Sequence, residues 1–528
     1  MSSRLSLSMI VKNEEHTLRA CLESVRHVVD EIIIVDTGST DATVAIAKQF
    51  HAKIFFFPWN GNFSDARNES LLHCTGDWIL QLDADERLEA RDKKKLRAAI
   101  STTTADGLEI FVVSRKTERN KLTMSHSLAV RLFRRDERFR FQYSIHENII
   151  ASIEDHHGKI IHSDITIHHD GYDIAETDIE KKLLRNLPPL LQDAERYPND
   201  VFVLSKLVQT QFQLHQNSEA EKTLARAFLV IQSGKATHAA SSRIAHLHIL
   251  YGEIRLQQGA LREAEHSGLE SLRLAPRQYA AHVLLTRVFD QQNKIEEAIR
   301  HTDAILSLHA KQGALSLDVA LYANTDSVSE GDCTPLLEDV YYKRAVLFRK
   351  INNETAEEKE LRVTLQHSPV MVSALLDIAA LQARQGKLQE SLSFVQQAIR
   401  LEPNNEFALQ LRGKVFYSLQ QFSESLASLQ QAFSLGVRSD EALILLIQLT
   451  KRFQNDEATL PYFEELYARH SSAGDVVFGF IQALAASQHV ARALEITEHA
   501  LLIISDEQLK EQLQRIREKL YQAREAAV

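Results

Sequence analysis

Small residues recur along the C-terminal part of this 528-residue chain with a fixed period. Gly413, Ser425 and Ala432 are spaced 12 and 7 residues apart, and Ala379, Ser391 and Ala398 show the same spacing 34 residues earlier. Gly252, Ala264 and Ser271 repeat it again. Pro369 and Pro403 also stand 34 apart, and Pro276 falls where a unit would end. Ala220 with Ala227, and Ala493 with Ala500, carry the pattern towards both ends. Such a unit is a helix–turn–helix hairpin whose small residues let its paired helices approach closely. One hairpin cannot bury its apolar face alone, so successive units must stack. Residues 201–528 are therefore expected to form an α-solenoid, with units opening near 338, 372, 406, 440 and 474. An insert at about 313–337 interrupts it, and 176–200 reads as a helical linker.

Up to about residue 175 the period is different. Short β-rich runs at 4–11, 31–36, 52–59 and 77–83 alternate with helical stretches at 14–27, 40–50 and 64–74. That order predicts a largely parallel sheet covered on both faces. Further strands at 108–114, 129–134, 139–145 and 159–168 predict a mixed, partly antiparallel extension of the same domain. The fold class is thus a Rossmann-like α/β domain with a mixed sheet at 1–175, followed by an all-α repeat array that resembles the tetratricopeptide repeat.

A net charge of −10 is mild for this length and argues against a general nucleic-acid binder. Cys21, Cys74 and Cys333 lie far apart and suit a reducing compartment better than a disulfide framework. No apolar run approaches the roughly 20 residues that span a bilayer. A cytoplasmic protein without a membrane span is expected.

Several strand ends in the first domain are acidic. "SMIV" leads into Lys12-Asn13-Glu14-Glu15, "EIIIV" into Asp36-Thr37, and "WILQL" into Asp83-Ala84-Asp85-Glu86. Like charges gathered at one mouth of a sheet repel unless they stay solvated or meet a cation. In open α/β sheets, ligands bind beyond the carboxyl ends of the strands. A divalent cation, Mn2+ or Mg2+, bridging carboxylates to a diphosphate would account for the arrangement. On this reading Asp83 and Asp85 belong to a nucleotide-sugar site.

"SMIVKNEEHTL", "IIIVDTGSTDAT", "FSDARNESL" and "GDWILQLDADERL" together resemble a family 2 glycosyltransferase of the GT-A fold. The combination with repeats is similar to a bacterial subgroup that includes peptide S-glycosyltransferases and proposed flagellin glycosyltransferases. The resemblance implies that Val11, Asn13, Glu14 and Asp36 surround the nucleoside. It gives Asp83 and Asp85 the ribose and metal roles and puts Arg67 and Asn68 at the donor. Many relatives carry two acids where this chain has Asp36-Thr37.

Inverting transfer needs a base for the acceptor proton. "YSIHENI" offers Glu147, with His146 as the fallback, because a His-Glu pair in an apolar strand is costly unless used. The resemblance also implies a metal-ligating histidine from the end of this domain; "TIHHDGY" offers His169, or His168, as that third ligand, and imidazole suits Mn2+ better than Mg2+. The expected activity is metal-dependent transfer of GlcNAc or glucose from a UDP-sugar to a protein or peptide held by the repeats. A cell-surface glycan or lipid-linked acceptor is the alternative, as is a non-catalytic repeat scaffold. Oligomeric state stays open, a homodimer included.

Overall fold

The structure, a computed structural model, describes residues 3–118, 121–170, 176–315 and 335–526. Contacts divide the chain into two compact units, Met1–Pro335 and Leu336–Val528. In the first, β1 (Leu5–Val11), β2 (Glu31–Asp36), β3 (Lys53–Phe56) and β4 (Trp78–Gln81) alternate with α1 (Leu18–Val25), α2 (Thr43–Gln49) and α3 (Phe63–Leu72). The short strand β5 (Glu86–Leu88) and the helix α4 (Lys93–Thr102) follow the fourth strand in the chain. A long hairpin of β6 (Gly107–Glu118) and β7 (Lys121–Arg134), the short α5 (Ile150–Asp155) and β8 (Ile160–His169) complete the sheet.

The strand order is β3-β2-β1-β4-β7-β6-β8-β5. The first four strands are parallel; β7 runs antiparallel to β4, and β5 antiparallel to β8. Because β1 lies between β2 and β4, the chain winds outward to β3 and then crosses back. That crossing makes a switch point at the carboxyl end of β1. The near-continuous apolar runs of β1, β2 and β4 follow from burial on both faces. Leu5, Leu7 and Met9 pack with Leu18 and Leu22 of α1 on one side. Ile33 and Ile79 pack with Leu71, Phe133, Phe139 and Phe141 on the other.

Beyond "WILQL", Glu86–Leu88 forms an edge strand with Glu86 and Leu88 buried. One expectation changes. The expected strand at 139–145 is not a ladder strand. Its alternation is real, with Phe139, Phe141, Tyr143 and Ile145 all buried. Yet only an isolated bridge, Gln142 to Asn148, pairs its backbone, and Tyr143 and His146 take left-handed φ of 73° and 57°. The side chains reach two different cores, Phe139 and Phe141 one and Tyr143 and Ile145 the other.

At the expected linker stands α6 (Glu176–Arg196), packed on α7 (Val201–Gln213), which pairs with α8 (Asn217–Gln232). Two more helix pairs follow, Ser241–Gln257 with Leu261–Leu274 and Tyr279–Gln291 with Ile295–Leu315. Tyr143, Ile145 and Ala151 share one apolar cluster with Leu190, Ala194, Val201, Phe202 and Leu204. The segment after β7 and the helix α5 therefore share a core with the first repeat helices, across the position near 175 where the period changes. Residues 316–334 of the expected insert lie outside the described residues.

In the second unit, helices open at Leu337, Val372, Glu406, Asp440 and Gly474, the frames set by the 34-residue period. The small residues mark helix crossings. A Cβ on Gly413 would stand 2.6 Å from Leu429 Cγ. Ser425 Oγ donates to the Gly413 carbonyl at 2.7 Å, and Ser391 Oγ to that of Ala379 at 2.8 Å. The 12-residue spacing is thus a hydrogen bond from the second helix to the first.

Candidate active site

The carboxyl ends of β2, β1 and β4 lie side by side, so Asp36, the Val11–Glu14 turn and Asp83 meet at one mouth of the sheet. Asp36 is buried and accepts from the backbone N–H groups of Gly38 and Ser39, its carboxylate shaping the turn. Val11 offers its carbonyl to Thr37 N–H at 3.0 Å. Asn13, with φ of 56°, accepts from Thr40 N–H at 2.8 Å and so ties the two turns together. Glu14 is half-buried and accepts from Thr17 Oγ1 at 2.6 Å. Burial raises its pKa, with the Asp85 and Asp83 charges adding to the rise against the Thr17 bond. These acids feel one another.

What holds them together is arginine. Arg67 of α3 places Nη2 2.7 Å from Asp83 Oδ1 and Nε 2.7 Å from Glu147 Oε1. Arg131 of β7 reaches Asp83 Oδ2 at 3.2 Å, Glu86 Oε1 at 2.6 Å and the Gln81 amide oxygen. Glu147, Arg67, Asp83, Arg131 and Glu86 thus form a chain of alternating charge. Burial alone would raise Asp83, but the two guanidiniums hold it well below the usual carboxylate range. Glu86 is 2% exposed, and there burial wins and its pKa stays raised despite Arg131. Arg67 is among the residues expected from the sequence; Arg131 is not. A lone cation between Val130 and Leu132 of an apolar strand was the available signal.

Asp85 lies on the turn after Asp83, beside the opposite edge of the site. Its Oδ2 is 3.1 Å from His169 Nε2, and His169 Nδ1 is 3.0 Å from Ser114 Oγ. The hydrogen bond to Asp85 raises His169 above the ordinary imidazole value. Adjacent residues of a strand face opposite ways. His168 accordingly turns from Asp85 and meets Glu89 Oε2 at 2.7 Å.

Among the described residues, no three His, Cys, Asp or Glu side chains form a ready metal cage. Asp85 and His169 nevertheless fit a pair of ligands. Two donors about 2.1 Å from one cation at right angles stand roughly 3 Å apart. The Ser114 contact fixes the imidazole, as outer partners of metal-binding histidines do. Asp83, by contrast, has both oxygens facing arginines.

Asn68 has a different place. Its amide donates to the Phe141 carbonyl at 2.9 Å and accepts from Phe141 N–H at 2.8 Å. It clamps the segment that carries His146 and Glu147. His146 is exposed there, whereas Glu147 is turned inwards onto Arg67.

Residues 6–168 match the model of glycosyl transferase family 2. The sheet-bearing part is a glycosyl transferase family 2 domain. Its mixed sheet is that of the GT-A fold. A TPR repeat-containing protein of Synechococcus elongatus is 35% identical over 214 residues, covering 39% of this chain and 51% of that protein. The SPbeta prophage-derived glycosyltransferase SunS of Bacillus subtilis is 31% identical over 189 residues, 35% of this chain and 43% of SunS. The chain thus spans about half the length, or less, of these relatives. Among solved structures, PilF of Pseudomonas aeruginosa is similar at 14% identity and a TM-score of 0.35, covering 46% of this chain and 98% of that one. Among the described residues, no helix is long and apolar enough to cross a membrane.

Proposed function

We propose that the chain is an inverting glycosyltransferase that uses a UDP-sugar, GlcNAc or glucose, and a protein or peptide acceptor. The observation that carries this reading is the meeting of Asp36, Glu14, Asp83 and the Asp85–His169 pair at the switch point of a family 2 sheet. Val11, Asn13, Glu14 and Asp36 surround the nucleoside, and Asp83 faces the ribose. Asp85 and His169 would hold Mn2+ or Mg2+, which when bound supplies positive charge for the leaving diphosphate.

Glu147 takes the proton from the acceptor as its oxygen or sulfur attacks the anomeric carbon and the bond to the diphosphate breaks. Arg67 orients that carboxylate through Nε, and Asn68 fixes the backbone beneath it. Since Arg67 also holds Asp83, one side chain sets the donor and acceptor sides of the reaction in register. The repeats hold the acceptor, because stacked helix hairpins offer extended grooves for peptides. The test is incubation of the full chain with UDP-GlcNAc or UDP-glucose, Mn2+ and flagellin-like or cysteine-containing peptides, read by UDP release and intact mass. Sugar-dependent release of UDP supports the reading. No release with any donor overturns it.

A further inference from the structure

The segment that carries Glu147 is held from two sides, and one side is the helical array. Tyr143 and His146 adopt left-handed backbone, a conformation that persists only where the surroundings impose it. From α3, Ser64 Oγ donates to the Tyr143 carbonyl at 2.5 Å and Phe63 N–H to the Ser144 carbonyl at 2.9 Å. From α6, Asp193 accepts Ser144 N–H at 2.7 Å through Oδ2 and Ser144 Oγ at 2.9 Å through Oδ1. From the start of α7, Asp200 accepts the Tyr143 hydroxyl at 2.7 Å. The Tyr143 ring is enclosed by Tyr197 at 5.4 Å and Phe202 at 5.0 Å between centroids.

Both aspartates are nearly fully buried, at 2% and 3% exposure. A buried carboxylate is costly unless its hydrogen bonds repay the loss of water. Asp200 has a duty of its own, since Oδ1 caps α7 through Phe202 N–H at 2.9 Å while His238 Nδ1 stands 2.8 Å from Oδ2. Asp193 differs. Both of its oxygens are engaged by Ser144, three residues before Glu147.

We propose that Asp193, with Asp200 behind it, is a positioning residue for catalysis: the first helices of the array set the left-handed turn that aims Glu147. This rests on the reading of Glu147 as the acceptor-side base. It makes α6 and α7 part of the active site's scaffold rather than a spacer before an acceptor-binding module. Donor contacts lie on β1, β2 and β4, so loss of Asp193 should spare donor binding and reduce turnover.

The experiment compares the full chain with Asp193→Ala, Asp193→Asn and Tyr143→Phe. UDP binding, kcat against pH and hydrogen exchange over 141–149 are read for each. A misaimed catalytic group costs roughly 10- to 100-fold. Asp193→Ala should therefore lose that much in kcat, keep UDP affinity within about twofold and exchange faster at 143–147. Asp193→Asn, which retains one acceptor for Ser144, should recover part of the loss. Tyr143→Phe, which keeps the ring and removes only the hydroxyl, should show a smaller loss of the same kind and serves if Asp193→Ala does not fold. Unchanged kcat in folded Asp193→Ala or Tyr143→Phe, or an equal loss of UDP affinity, overturns the proposal while leaving the glycosyltransferase reading intact. If the unaltered chain binds UDP but releases none from any sugar donor, the functional reading falls and the proposal with it.

Discussion

Replacing Arg131 by Met removes the cation between two carboxylates without removing its bulk. Glu86 would keep one donor, the Asp83 N–H at 2.9 Å, while Asp83 would retain Arg67 at 2.7 Å. The damage should therefore fall on Glu86, which is 2% exposed and so cannot recruit water. Leaving one partner of a buried pair uncompensated costs about 3–5 kcal/mol. At about 2.1 cal/mol/K of unfolding entropy per residue, a unit reaching to Pro335 shifts by roughly 1.4 °C per kcal/mol, so it should melt roughly 4–7 °C lower. Adding Glu86→Gln should restore more than half of that, because the buried charge goes with it. pH offers a second check. Burial already raises the Glu86 pKa. An acid with a raised folded pKa regains stability as pH falls through that value, so Arg131→Met should be less damaging near pH 5 than near pH 8. The assay is calorimetric melting of the three proteins across that range. A melting temperature for Arg131→Met within about 1 °C of the parent, or no recovery in the double variant, would refute the charge-chain argument.

A chain stopped after Pro335, the end of the first compact unit, should still bind UDP but transfer far less to a protein acceptor. One stopped at Arg196 loses Asp200 and much of the cluster around Tyr143, and should fail to fold or to turn over; soluble yield and UDP release read both. The hydrogen bond that His238 donates to Asp200 raises the imidazole, so this contact stabilises the fold fully below the ordinary value of 6.5 and loses its effect as pH climbs through the raised one. His238→Gln should accordingly lower the melting temperature more at about pH 6 than at about pH 9, and an equal loss at both would contradict the assignment. Gly413→Val should destabilise the second unit by about 1–3 kcal/mol in denaturant melts through overpacking. A Cβ there would already meet Leu429 at 2.6 Å, and an unchanged midpoint would show that the crossing has slack.

The helical array was legible because its signal is a period, which needs no knowledge of long-range contacts. Units opening at Val372, Glu406, Asp440 and Gly474 follow from it directly. The parallel core was legible for a similar reason, since strands buried on both faces leave unbroken apolar runs. The rest depended on tertiary pairing. The segment 139–145 alternates like a strand, but Phe139 and Phe141 enter the sheet core while Tyr143 and Ile145 enter the helical one. Alternation records burial and not hydrogen bonding. Asp83 could be singled out as a candidate site residue from its place after β4, yet its partner Arg131 lies 48 residues on in an antiparallel strand. Nothing local ties the two. The same holds for Asp193, which reads as an ordinary polar position of a long helix until Ser144 is seen against it.

The most direct test of the account is calorimetric titration of UDP into the full chain, with Mn2+ and with chelator, alongside Asp85→Ala. The carboxylate of Asp85 and the imidazole of His169 stand 3.1 Å apart at the mouth where the strand ends meet. Saturable binding of UDP that needs the metal is expected, and its loss or great weakening in a folded Asp85→Ala chain. Binding that is equally tight in chelator and in Asp85→Ala, or no binding to the parent at all, would contradict it.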